Sequence, residues 1–189
     1  MPLSEPKARE HLHRRRIVID AFKRDDGLID VEATLLDTKP LDFHVGTGGQ
    51  NVRGGDAIHS MSVRLSVDAH SIIRECEVSM DAAPYSYCSE VSDRFDLTGI
   101  KMTGGFMKAV AERIGPADNC WHVRQMLQQM ATVLVQTTYP VQRPEIDKLP
   151  PAQRPTPAMI NSCAGWQSHR PHIRVDFPAA YRPPDEDGQ

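Results

Sequence analysis

No apolar run in this chain approaches the roughly 18 residues that a membrane-crossing helix needs, and Met1 to Arg16 lacks the apolar middle of a secretion signal. The protein is therefore expected in the cytoplasm, with no membrane partner. Basic excess is missing as well. The formal net charge is -3, which argues against nucleic acid as a partner, because proteins that bind a phosphate backbone carry a clustered positive surplus. The basic cluster His11-Leu12-His13-Arg14-Arg15-Arg16 has no interleaved aromatic residues to stack on bases. It reads as the solvated start of a strand. Cysteine is sparse: Cys76, Cys88, Cys120 and Cys163 lie far apart in a chain too large to need stapling, so they are read as reduced thiols.

What is present is ordinary for a globular protein. With 189 residues, 40% hydrophobic and 25% charged, the chain can bury one substantial core. Arg15 to Phe22 and Leu28 to Leu36 are β-rich runs joined through Asp26-Gly27, whose glycine supplies the positive φ of a hairpin turn. Ile29, Val31, Ala33 and Leu35 alternate with polar residues, the period of a sheet with one wet face. A glycine-rich loop, Gly46 to Gly55, has no Gly-Lys-Ser/Thr ending and no helix pattern behind it, so it is expected to be a mobile loop or lid and not a phosphate cradle. Met61 to Val67 and Ile72 to Met80 form a second alternating pair. Four sequential strands with short connections favour an antiparallel meander.

From Ser89 the period becomes helical. Phe106, Met107, Val110, Ala111 and Ile114 line one helix face before a Gly115-Pro116 stop, and a further helix from Asp118 or Asn119 buries Val123, Met126, Leu127, Met130 and Leu134 before Pro140. Beyond Tyr139 proline is frequent, which predicts an extended segment wrapping the domain, with a late strand over 173–177 and frayed final residues. The expected fold is an α+β domain over residues 1–139. It has an antiparallel meander sheet of four to five strands, two or three helices on one face, and a Pro-rich C-terminal tail over 140–189. Amphipathic helices and a clasping tail would also suit a homo-oligomer.

Asp37 and Lys39 continue the face of Val31 and Leu35 as their strand ends. A carboxylate and an amine leaving an apolar face are costly unless they meet each other or a substrate. They form a structural ion pair, or Lys39 holds an anionic oxygen or acts as base with Asp37 positioning it. Cys120, at a helix start, would have its thiolate favoured by unpaired N–H groups. His122 points to the other side of a regular helix, so the two can share a ligand only if Cys120 precedes that helix. With Cys88 and Cys163 they make a three-thiolate, one-imidazole set suited to structural zinc, though without Cys-x-x-Cys pairs. Ordinary buried cysteines are the other reading.

The ordered set Asp37-Thr38-Lys39-Pro40, Ile58-His59, Asp81-Ala82-Ala83-Pro84-Tyr85, Cys88, Gly99-Ile100, Gly104-Gly105-Phe106, Cys120-Trp121-His122 and Ser162-Cys163 resembles the bacterial family catalogued as domain of unknown function 2889, over nearly the whole chain. It departs from the family pattern around Gly46 to Gly55 and after Cys163. The resemblance implies a cytoplasmic enzyme of aromatic, lignin-derived compound catabolism that acts without a cofactor. The reaction it suggests is a lyase step eliminating formaldehyde from a hydroxymethyl group. That reaction needs a base for the hydroxyl proton and a donor or cation for the developing phenolate, chemistry that His59, Tyr85 and Lys39 supply, with Asp37, His122 and Cys120 as further candidates. The alternative function is a zinc-stabilised binding or assembly module.

Overall fold

The computed structural model describes residues 3–115 and 118–184, the side chain of Asp93 excepted. Met1 and Pro2, Pro116 of the expected helix stop with Ala117, and the final residues 185–189 expected to fray lie outside the described residues. The chain divides into two compact units, Met1–Met130 and Ala131–Gln189.

The first unit is built on four long strands: β1 (Arg14–Lys23), β2 (Ile29–Thr38), β5 (Ala57–Val67) and β6 (Ile73–Ala82). They lie in the order β1-β2-β5-β6, each antiparallel to the next, as the expected meander requires. The first turn closes with the Arg24 N–H on the Leu28 carbonyl at 2.9 Å, and Gly27 takes φ +89°, where a Cβ would be strained. The glycine-rich connection is a small ribbon, β3 (Phe43–His44) paired with β4 (Asn51–Val52), and not the free lid expected. Backbone bonds pin it at both ends, from Gln50 N–H to the Pro84 carbonyl (2.9 Å) and from Gly55 N–H to the Lys39 carbonyl (2.8 Å).

Strand register sorts the inner face into layers. Ile17, Leu35, Met61 and Met80 stand in one row across the sheet; Ile19, Ala33, Val63 and Val78 form the next, and Ala21, Val31, Leu65 and Cys76 the third. The central strands bury these side chains almost completely, a hydrophobic contribution of about 1.5–3 kcal/mol for each large one. The same parity carried one step toward the end of the sheet gives a polar row: Arg15 opposite Asp37, and Asp37 opposite His59.

After β6 a 3-10 segment, Ser86–Arg94, leads to α1 (Phe106–Arg113), which buries Phe106 and Val110, and then to α2 (Trp121–Asp147). The apolar positions read for α2 are buried: Val123, Met126, Leu127, Met130 and Leu134. Its end differs from expectation, because the helix runs on through Pro140 and Pro144. Both prolines are exposed and four residues apart, so they share one wet face. The carbonyls they leave without an N–H partner belong to positions four residues earlier on that face, where solvent can satisfy them.

The second unit has its own small core. Ile173, Phe177 and Ala180 are buried, with Tyr139, Ile146, Ile160, Trp166 and Tyr181 packed against them. The Trp166 ring meets Tyr139 edge-on at 5.3 Å. Arg143 and Arg154 both bridge Asp147 and Asp176. The strand expected over 173–177 is a helix, α3 (Pro171–Asp176), opened by a proline at its first position where no N–H is required. Proline thus punctuates short turns and helices in this segment, where an extended strap was expected.

Candidate functional site

Asp37 is a charged side chain with no exposed surface, and its partners explain how it survives there. Arg15 grips it with two parallel bonds, Nε to Oδ1 at 2.8 Å and Nη2 to Oδ2 at 2.6 Å. His13 Nε2 lies 3.3 Å from Oδ1, and His59 Nδ1 lies 3.0 Å from Oδ2. These groups meet because β1, β2 and β5 hold the same row in register. Residues 13, 15, 17, 19 and 21 share the inward parity of β1, so the basic stretch before Ile17 splits by alternation. His13 and Arg15 reach Asp37, whereas Arg14 and Arg16 line a hollow of about 370 Å³ with Lys39.

The start of α2 completes the cluster. Cys120 stands just before the helix as its N-cap, its carbonyl accepting the Arg124 N–H at 3.0 Å. It therefore meets the condition for sharing a side with His122, and its Sγ lies 4.0 Å from His122 Nδ1. The His122 ring faces His59 with centroids 4.0 Å apart and a tilt of 37°. One turn along, Gln125 Oε1 accepts the third Arg15 bond, from Nη1 at 2.8 Å. Arg15 is thereby fixed from both the sheet and the helix.

The electrostatics follow from this packing. Burial alone would raise the Asp37 pKa, but the charged hydrogen bonds from Arg15, with His59 beside them, prevail and hold it at about 2. Desolvation lowers His59 in spite of the pull of Asp37. Burial, reinforced by the positive charge of His59 and Arg15, brings His122 down to about 4. Near neutral pH Asp37 is therefore a carboxylate beside the Arg15 guanidinium, and the His59 and His122 imidazoles are uncharged. An ionised carboxylate only accepts, so His59 Nδ1 carries the proton that Asp37 receives, and Nε2 keeps its lone pair.

The profile of a protein family of unknown function, DUF2889, matches residues 13–136. This chain belongs to the DUF2889 family. The matched span opens at His13 and includes Arg15, Asp37, His59, Cys120, His122 and Gln125. No curated protein and no solved structure matches the chain. Among the described residues no helix is long and apolar enough to cross a membrane.

Of the candidates read from the sequence of this DUF2889 protein, the fold gathers Asp37, His59, His122 and Cys120. Lys39 is elsewhere: the chain shifts register between Asp37 and Thr38, and the Lys39 ammonium sits 4.9 Å over the Phe43 ring. The ion pair expected between Asp37 and Lys39 is made by Arg15 instead. Tyr85 also stands apart, stacked on Tyr87 at 5.1 Å, beside a hollow lined by Gln50, Met80, Asp81 and Ser89. Cys88 lies in the 3-10 segment and Cys163 in the second unit. Among the described residues the grouping with metal-ligand spacing is Asp37, His59 and His122, not the cysteine set. Cys76, on the inner row of β6, is half-buried, its thiol donating to the Phe95 carbonyl at 3.1 Å and its pKa pushed up by burial. Sequence reasoning missed His13, Arg15 and Gln125.

Proposed function

We propose that the chain is a small-molecule enzyme whose reacting centre is the Asp37–His59–His122 cluster, and that it is a carbon–carbon lyase releasing formaldehyde from lignin-type aromatic dimers. The supporting observation is the Arg15–Asp37–His59 row, in which a buried carboxylate orients one imidazole toward a second imidazole. A base held in a single tautomer and kept neutral by desolvation has its lone pair free at pH 7, and Asp37 stabilises the imidazolium formed when it takes a proton.

The elimination is redox-neutral. In a phenylcoumaran with a free para-phenol, the phenolate expels the ring ether oxygen and leaves a quinone methide. His59 Nε2 then removes the hydroxymethyl proton, the oxygen pair forms the C=O of formaldehyde, and the carbon–carbon bond breaks. Its electrons become the new alkene and restore the phenolate, so the products are a stilbene and formaldehyde. Trp121, 66% exposed and next in the chain to both Cys120 and His122, offers an aromatic face on which a substrate ring can stack.

The test is incubation with phenylcoumaran and diarylpropane substrates while formaldehyde and stilbene are measured. His59→Asn should lower kcat by about 10²–10⁴-fold, the usual worth of a positioned base. Trp121→Ala should chiefly raise KM. Absence of formaldehyde across a broad set of such dimers ends this reading.

A further inference from the structure

Asp37, His59 and His122 each present one ligand atom, and these atoms all lie within 4.8 Å of one another. We propose that they bind a divalent transition-metal ion, zinc, with Cys120 as the fourth ligand. The catalytic use of that ion rests on the lyase reading above; the site itself stands on geometry.

The donor set selects the ion. One carboxylate oxygen, two imidazole nitrogens and a neighbouring thiol suit zinc, whereas magnesium and calcium take oxygen ligands. Two ligands held about 2.0–2.1 Å from zinc stand roughly 3.0–3.4 Å apart. The 3.0 Å between Asp37 Oδ2 and His59 Nδ1 already has that length, so an ion can take the place of the bridging proton. Cys120 Sγ, 4.0 Å from His122 Nδ1, lies outside that grouping and would reach the ion by rotation of its side chain.

The surroundings are those of a supported metal ligand. Arg15 and His13 hold the other lone pairs of the Asp37 carboxylate, and Gln125 holds Arg15. Such outer hydrogen bonds fix ligand orientation before the ion arrives. Arg15 opposes a dication, but the Asp37 carboxylate and a Cys120 thiolate offset it. The loaded site keeps a net positive charge and so favours an anionic oxygen, which would bind as a fifth ligand. With Nδ1 on the ion the His59 proton sits on Nε2, so in the loaded site the ion, by polarising the hydroxymethyl oxygen, would replace His59 as the group that favours loss of that proton.

Protein stripped with a chelator and then titrated with zinc should bind one ion per chain. Cobalt(II) in the same site should show visible d–d bands and a near-ultraviolet thiolate charge-transfer band that Cys120→Ser abolishes. His122→Gln, which leaves the Asp37–Arg15 pair untouched, should weaken zinc by at least about 100-fold, since even losing an outer partner costs 10–100-fold. Cys88→Ala and Cys163→Ala should bind as the parent does. No stoichiometric zinc in protein with native circular dichroism overturns the site, as does binding that depends on Cys88 or Cys163 and not on His122. Formaldehyde release by metal-free protein would overturn the catalytic use while sparing the lyase reading. Zinc bound normally without any formaldehyde release would spare the site and end that reading.

Discussion

At the scale of single residues, Asp37 decides what this end of the sheet is. A fully buried carboxylate costs several kcal/mol unless paired, and here both oxygens are taken by charge-assisted bonds. Asp37→Asn keeps the shape but leaves Arg15 without its counter-charge, and should lower stability by roughly 2–4 kcal/mol, somewhat under the cost of breaking a fully buried pair because Arg15 is partly exposed. Urea unfolding of the variant measures this. A loss below about 0.5 kcal/mol would mean that Arg15 finds another partner and that the pair contributes no more than a surface bridge. Asp37 was legible as a costly residue on an apolar face. Its partner was not, because Lys39 is the nearest cation in sequence while Arg15 is the nearest in register.

At the scale of elements, the strands were the most legible part, since alternation over Val31 to Asp37 and over Met61 to Val67 reports directly which side faces the core. The register of the first hairpin was not legible: closing the turn at Arg24 and Leu28 sets Arg15 against Asp37, and a different turn length would have set a neighbour there. The end of α2 failed for another reason. Proline usually stops a helix, yet its penalty of about 3 kcal/mol falls where the orphaned carbonyl is wet. Pro140→Ala and Pro144→Ala restore one hydrogen bond each. The unfolded chain regains only about 0.4–1 kcal/mol of entropy per substitution, so each should stabilise by roughly 1–2 kcal/mol, seen as a higher Tm and as slower amide exchange between positions 136 and 147. An unchanged Tm in both would show that the helix already bears no penalty there.

At the scale of the whole molecule, each unit carries its own core, which makes them separable in an experiment. Phe177 is buried to 1%, and Phe177→Ala should cost the second unit about 3–5 kcal/mol. Hydrogen exchange should then quicken over 151–181 while the amides of β2 and β5 stay protected. Equal loss in both units would show one cooperative block. The candidate site lies wholly within the first unit and is assembled from three strands that meet in a single row, with the start of α2 beside them. Side chains alternate along a strand, so inserting one residue between Ile17 and Phe22 would turn Arg14 and Arg16 inward and carry the Arg15 guanidinium away from Asp37. Insertions at the Asp26-Gly27 tip would leave that row intact. Length is therefore forgiven at the hairpin tip and forbidden within the strand, and a chain that closed its first hairpin one step out of phase would turn Ile17 and Ile19 to the wet side and lose the contact between Arg15 and Asp37.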